Sequence, residues 1–210
     1  MFLRKRFLGA GRYFLPLLPA FFLLASAFFA GRQEARAAGR ELSGAVLRFH
    51  VLANSNSDED QQAKYLVRDA VLETLEPLLS GAASKQEAMD ILSEQKTLIR
   101  ETAQEALAAQ GLEQSVTVSL ENCYFPAKTY GELCFPPGNY DALRVQLGEA
   151  KGRNWWCLMF PTLCFTDLTG GILPASSDEK LRDALTEETY ESLRPAEFRF
   201  RLFPFLDGWF

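Results

Sequence analysis

The chain has 210 residues, of which 48% are hydrophobic and 23% charged, a balance typical of one folded domain plus a short extra segment. Its formal charge of −5 disfavours nucleic acid as a partner, because the phosphates would be repelled. The single histidine, His50, excludes a multi-histidine metal centre. We therefore expect neither a metal ion nor another cofactor.

The first thirty residues have the layout of an export signal. Basic residues within positions 4–12 precede an apolar run over 13–30, and no acidic residue occurs before Glu34. The run is about as long as the shortest membrane-spanning helices, roughly 17–25 residues. Two interpretations stay open, a cleaved signal peptide and a retained N-terminal membrane anchor. Both place the rest of the chain outside the cytoplasm.

The segment from residue 46 to residue 52 reads VLRFHVL and alternates in polarity. Arg48 and His50 fall on one face, and the residues between them and beside them on the other face are apolar. This alternation predicts a strand with one face in the core.

Two helices are predicted next. Ser57 is an N-cap for a helix that starts at about residue 58 and ends near Pro77. Ser84 forms a capping box with Glu87 and starts a second helix, for which Gly111 is the expected stop. Apolar residues recur at helical spacing through both segments, so each helix has one face for a core.

Period-two alternation returns from residue 116. Strands are predicted near 116–121, 130–135 and 140–147, and the short turns between them favour an antiparallel meander. The strand at 46–52 is expected at an edge of this sheet. The predicted fold class is therefore α+β, an antiparallel sheet of about four strands with two main helices packed on one face.

Four segments follow from these patterns. Residues 1–30 are the signal or anchor, and the small polar residues 31–44 a linker. The domain covers 45–168, and residues 169–210 hold a charged helix followed by an aromatic tail. The tail is expected either to cover the core or to touch a membrane or partner.

Four cysteines in an exported domain indicate up to two disulfides. Cys157 and Cys164 enclose a short loop, which favours a bridge between them. In the predicted meander Cys123 and Cys134 lie directly opposite each other and are a second candidate pair. Buried free thiols remain the alternative.

No nucleophile elbow, phosphate loop or dinucleotide fingerprint occurs in the sequence. A cysteine with His50 is a conceivable nucleophile and base, but a lone histidine in a strand has many structural roles. The adjacent Trp155 and Trp156 are expected to point in different directions, one into the core and one toward a partner. Aromatic anchors of this kind are enriched at binding hot spots. No catalytic residues are predicted.

Two blocks of sequence carry a resemblance to a known family. The first is RFHVLANSNSDEDQQAKYLVRDAV at 48–71, and the second comprises FPAKTYG, PPGNYDALRVQLG and NWWCLMFPTLCF within 125–165. In this order the blocks resemble stage II sporulation protein R of endospore-forming Gram-positive bacteria, over about residues 40–168. Cys123, Cys134 and the aromatic tail lie outside the matching blocks.

The resemblance implies a signal rather than an enzyme. Members are secreted from the forespore into the space between forespore and mother cell, where they activate a membrane-embedded aspartic peptidase that processes the pro-sigma-E precursor. The residues carried over from the matching blocks as partner-binding candidates are Arg48, His50, Asn54, Ser55, Asp69, Trp155 and Trp156. The rival functions are an exported hydrolase acting on the cell envelope and a passive scaffold at the septum.

Overall fold

A computed structural model describes residues 17–161, 164 and 175–194. The chain divides into two compact units, residues 1–40 and 41–210. The helices are α1 (Leu17–Ala45), α2 (Asp58–Leu79), α3 (Lys85–Glu94), α4 (Lys96–Ala108), α5 (Ala175–Ala184) and α6 (Glu187–Ser192). The strands are β1 (Leu47–Leu52), β2 (Val116–Phe125), β3 (Lys128–Tyr130), β4 (Leu133–Phe135), β5 (Gly138–Leu147) and β6 (Asn154–Phe160).

Helix α1 contains part of the predicted leader, and the polar segment 31–44 is helical as well. The six large apolar side chains between Phe21 and Phe29 are 60–73% exposed. Within the described residues no helix combines the length and the apolar character that a bilayer crossing requires. Residues 1–16 of the predicted leader lie outside the described part of the chain.

The capping signals form as the sequence predicted. The Ser57 hydroxyl accepts a hydrogen bond from the Asp60 amide at 3.2 Å, and the Ser84 hydroxyl accepts one from the Glu87 amide at 3.2 Å. These bonds satisfy amides that the first turn of each helix leaves without a partner. The second predicted helix is interrupted, since α3 and α4 meet at Gln95, and α2, α3 and α4 all contribute to one core.

The main sheet has four strands in the order β2–β5–β1–β6, which confirms the α+β fold class. Its pairs are antiparallel except β1 with β5, which run parallel. Strand β1 is therefore internal, and the expectation of an edge position is wrong. Two parallel strands cannot be joined by a tight turn and need a long connection. Between β1 and β5 this connection includes the helices α2 to α4.

The predicted meander is also corrected. Strands β3 and β4 pair only with each other, in a separate hairpin, and β5 follows β2 in the main sheet. The fourth strand of the sheet is β6, in a segment for which no strand is predicted from the sequence.

Both faces of the sheet are covered. On one face a core forms between β1, β5 and β6 and the helices α2, α3 and α4. On the other face the β3–β4 hairpin, α5, α6 and the end of α1 enclose a second, aromatic-rich core. The single charged helix predicted within 169–210 is instead the pair α5 and α6, and the tail from residue 195 lies outside the described residues.

Candidate functional site

Strand β6 places its two tryptophans on opposite faces of the sheet. Trp155 pairs in register with Val51 and packs against the helix-covered core, whereas Trp156 pairs with His50 and packs against the aromatic core. Alternation along a strand requires this separation. The predicted difference in direction is thus present, and both rings are half-buried.

Trp155 is part of a surface cluster with helix α2. Its ring lies edge-on to Phe49, with centroids 5.7 Å apart. The Cζ atom of Arg68 lies 5.1 Å from the Trp155 ring and 4.9 Å from the Tyr65 ring. Cation–π contacts with two rings hold the guanidinium between the helix and the strand. We call Tyr65, Arg68, Asp69 and Trp155 the Trp155 surface.

Asp69 completes this surface. Its carboxylate lies 2.6 Å from the Arg68 guanidinium, and its side chain is 62% exposed. A pair this exposed contributes little stability, about 0–1 kcal/mol. Its consequence is orientation, because it fixes the Arg68 side chain beside the Trp155 ring.

Trp156 and His50 form a stack on the opposite face. Their ring centroids are 3.7 Å apart with an angle of 19° between the planes. Phe125 closes the group, at 4.7 Å from Trp156 and 5.7 Å from His50. His50 is buried, and desolvation lowers its pKa to about 4, with the charge of Arg144 acting in the same direction. The imidazole is therefore neutral at pH 7.

Arg48 lies completely buried beside this stack. Its Cζ atom is 4.5 Å from the Phe125 ring, 5.0 Å from the Tyr140 ring and 5.9 Å from the Phe135 ring. None of its nitrogens makes a hydrogen bond of normal geometry with a described residue. Burial lowers the pKa of Arg48, and the phenols of Tyr130 and Tyr140 act in the opposite direction. The aromatic faces are thus the main partners of this cation.

Asn54 and Ser55 join two loops. The Asn54 side chain donates to Asp60 at 2.9 Å and accepts from the Glu149 amide at 2.9 Å. The Ser55 carbonyl accepts from the Gln61 side chain at 2.8 Å. The loop after β1 is thereby tied both to the start of α2 and to the loop that precedes β6.

The close approach of these loops explains why residue 152 is a glycine. A Cβ atom on Gly152 would lie 2.1 Å from the carbonyl oxygen of Ser55, so only glycine fits without a backbone shift. The Gly152 amide donates to the Ala53 carbonyl at 2.9 Å. The junction therefore fixes where β6 begins, and with it the positions of both tryptophans.

Only one of the two candidate disulfides is present among the described residues. Cys157 and Cys164 form a disulfide, and the Cys164 amide also donates to the Leu158 carbonyl at 3.0 Å. Cys123 and Cys134 are free thiols. They do not oppose each other, because Cys123 stands opposite Tyr140 in the main sheet and Cys134 opposite Thr129 in the hairpin. The expected second pair rested on a meander that does not form.

The residues carried over from the family resemblance thus occupy three places. Arg48, His50 and Trp156 are packed together in the aromatic core, and Arg48 and His50 are too buried for a partner to touch in this structure. Asp69 and Trp155 lie together on the surface at the other face. The remaining two candidates, Asn54 and Ser55, belong to the loop junction.

Sequence reasoning missed the helical half of the Trp155 surface. The sequence pattern predicts for Arg68 and Asp69 only a solvated helix face or a local salt bridge, and the salt bridge is present. The three-residue spacing of Tyr65 and Arg68, which puts them side by side on a helix, was the available signal. What the sequence did not provide was the strand that brings Trp155 against them.

Nothing in the described residues provides a metal centre, since no group of three or more histidine, cysteine or acidic side chains is arranged to hold an ion. The His50 ring packs with Trp156 and Phe125 on one side of the sheet, whereas Asp69 belongs to α2, which covers the other side. The structure therefore does not bring these two hydrolase candidates together.

Comparison with known proteins gives two matches. The family model for stage II sporulation protein R matches residues 43–170. The protein named stage II sporulation protein R from Bacillus subtilis (strain 168) is 35% identical over 149 residues, which cover 70% of this chain and 66% of that relative. No solved structure matches this fold.

The family match covers β1 through β6, so it includes the Trp155 surface, the aromatic core and the loop junction. Both sequence blocks, at 48–71 and within 125–165, lie inside the matched region. This chain belongs to the stage II sporulation protein R family.

Proposed function

We propose that this protein is an exported signal of sporulation that acts by protein–protein contact. Its target is a membrane-embedded aspartic peptidase, which then processes the pro-sigma-E precursor in the mother cell. Membership of the stage II sporulation protein R family supports the role in sporulation. The matching region spans 66% of the Bacillus subtilis relative, and the peptidase as partner comes from the family resemblance.

The observation that carries a binding role is the Trp155 surface. Tryptophan, tyrosine and arginine are the residues most enriched at binding hot spots, and all three meet here. Trp155 is anchored from below by Phe49, so its ring is rigid and loses little freedom when a partner covers it. Such a surface is suited to recognition rather than to chemistry.

Activation would follow from a difference in affinity. A protein that binds the active arrangement of the peptidase more tightly than the idle one shifts the population toward activity without a reaction of its own. Raising the active fraction from 1% to 99% would require about 5.5 kcal/mol of differential binding. An interface centred on a few aromatic and arginine anchors supplies energies of that order.

An extracytoplasmic location is part of the proposal. The basic start and apolar run of residues 1–30 serve as the leader, either cleaved or kept as an anchor, and deliver the rest of the chain to the space between forespore and mother cell. The exposed apolar side chains of α1 support contact with a membrane at this end. The Cys157–Cys164 disulfide fits an oxidising compartment.

The hydrolase alternative has less support. Burial of the Cys123 thiol raises its pKa, with the charge of Glu121 acting in the same direction, so the thiol is protonated and a poor nucleophile. His50 is shielded by Trp156 and Phe125. A passive scaffold would not need the Trp155 surface, and reconstitution separates it from the signal.

The test is reconstitution of processing. The peptidase and its precursor substrate are co-expressed with no partner, with the wild-type protein, with Trp155→Ala, or with Tyr124→Ala as a matched control. Tyr124 is an aromatic residue on β2 that is 63% exposed. We expect cleavage to require the wild-type protein, to survive Tyr124→Ala and to fall at least about tenfold with Trp155→Ala. Cleavage that ignores the added protein would reject the signalling role.

A further inference from the structure

Next to the Trp155 surface lies a group of cations. Lys64 and Arg68 come from α2, and Arg153 comes from the loop just before β6. The chain as a whole is acidic, with a formal charge of −5 that falls to −9 when the four basic and no acidic residues of positions 1–30 are set aside. A concentration of positive charge in such a protein is a feature to explain.

Two of these three cations, Lys64 and Arg153, have no ion-pair partner among the described residues. Lys64 is buried, and its Nζ donates to the Gln61 side-chain oxygen at 2.7 Å and to the Arg153 carbonyl at 3.2 Å, which are both neutral acceptors. Across 17–161, 164 and 175–194, no carboxylate lies within ion-pair distance of Lys64 or Arg153. Only Arg68 has such a partner, in Asp69.

The charges interact with one another. Burial lowers the pKa of Lys64, and the charges of Arg153 and Arg68 lower it further. The same Nζ lies 4.5 Å from the ring of Tyr65. The three cations therefore share one small region whose floor is aromatic, and each raises the potential that an approaching anion would meet.

The position of Arg153 is set before any partner arrives. Its amide donates to the Asn56 side chain at 2.8 Å, and the neighbouring Lys151 amide donates to the Asn54 carbonyl at 3.0 Å. The Arg153 side chain itself is exposed. Because the backbone is already fixed, only the Arg153 side chain has to be ordered when a partner binds, which limits the entropy lost.

We propose that the Trp155 surface together with Lys64 and Arg153 binds an acidic segment of a protein partner. Carboxylates of that segment pair with the guanidinium groups of Arg68 and Arg153, which match carboxylate geometry in a bidentate manner. An apolar side chain of the segment packs on Trp155. That the segment lies on the outer part of the peptidase rests on the proposed function.

The charge of the rest of the protein favours binding of an acidic partner at this region over other parts of the surface. An acidic partner is repelled by the net negative charge elsewhere on the protein and attracted to this region. Charge complementarity of this kind acts on the rate of association and weakens as salt screens it, with a Debye length of about 10 Å at 0.1 M ionic strength.

The test uses charge reversal in the full-length protein. The double variant Arg68→Glu with Arg153→Glu is compared with Arg100→Glu, which reverses the charge of an exposed arginine on α4 that is not part of this surface. Binding to the peptidase in neutral detergent micelles is measured at low and at high salt. We expect the double variant to weaken binding at least about tenfold, and the Arg100 variant to weaken it less than about twofold. Circular dichroism melts confirm that each variant is folded.

Two further arms separate the sources of negative charge. Vesicles that contain phosphatidylglycerol but no peptidase replace the micelles in one arm. If the double variant loses binding to the vesicles but still binds the peptidase, the surface recognises a lipid and the proposal is overturned. Equal binding of the double variant and Arg100→Glu to the peptidase would also overturn it.

A labelled hexaglutamate peptide tests acidic recognition without the peptidase, by fluorescence anisotropy. We expect the wild type to bind the peptide in a salt-sensitive manner and the double variant not to bind it. If the wild type does not bind hexaglutamate, the proposal is overturned even if processing is intact. If the wild type binds hexaglutamate but neither binds nor activates the peptidase, the proposed function fails and the acidic recognition stands.

Discussion

Protonation of His50 should destabilise the fold. The pKa of the imidazole is about 4 in the folded protein because it is buried, and about 6.5 in an unfolded chain. The unfolded state therefore binds the proton more readily, so stability is fully present above pH 6.5 and is lost as the pH falls toward 4. The difference of about 2.5 units corresponds to about 3 kcal/mol, of which about 2 kcal/mol is lost by pH 5.

The measurement is urea unfolding of the untagged protein at intervals between pH 7 and pH 5. Other groups interfere little in this window, since the carboxyl groups whose pKa is lowered, Glu41, Asp60, Asp141 and Glu149, titrate below it. His50→Asn is the matched variant, and its free energy of unfolding should be nearly constant over the same range. The wild type should instead lose about 2 kcal/mol.

Because His50 is the only histidine, NMR titration of its ring protons reports the folded pKa directly. A midpoint near 6.5, or a free energy of unfolding that is flat from pH 7 to pH 5, would refute the reasoning. Either result would mean that the ring is solvated and that the Trp156 stack opens in solution.

Three other substitutions probe the layers around the site. Arg48→Met removes a desolvated charge from an aromatic enclosure and should stabilise the protein by about 1–4 kcal/mol in thermal unfolding, whereas a lower Tm would show that the cation–π contacts outweigh the desolvation cost. Gly152→Ala should cost about 1–3 kcal/mol in the same assay, because its Cβ meets backbone at 2.1 Å, while Gly81→Ala, with open space around it, should cost nothing. Glu41→Gln weakens the carboxylate that caps α6 through two threonines, and limited proteolysis should then cut α5 and α6 faster than in the wild type.

The local elements were the predictable part of this fold. The caps at Ser57 and Ser84 depend on residues three positions apart, and the helical spacing of apolar residues after them extends over a few turns. Both features are local in the sequence, so the helices could be predicted from it. The α+β class followed from the sequence of those elements. Strand order did not, because pairing between β1 and β5 depends on residues about ninety positions apart.

Strand β1 shows why one expectation failed. Arg48 and His50 stand on its second face, and a strand with an arginine and a histidine at alternate positions is normally solvated on that side. Here aromatic rings of β2, β4 and β5 surround the arginine, and a ring of β6 covers the histidine. The alternating polar residues therefore predict a strand with one solvated face, although β1 is buried on both faces.

The two tryptophans of β6 depend on one choice of register. A slip of one residue would exchange their faces, removing the indole ring from Arg68 on one side and from His50 on the other. The loop junction that ends at Gly152 opposes such a slip, because the Gly152 amide is bound to the Ala53 carbonyl and a Cβ atom at this position would meet the Ser55 carbonyl oxygen at 2.1 Å. Since β1 ends one residue before Ala53, these contacts set the start of β6 relative to its neighbouring strand. The positions of both indole rings therefore depend on a glycine that touches neither of them.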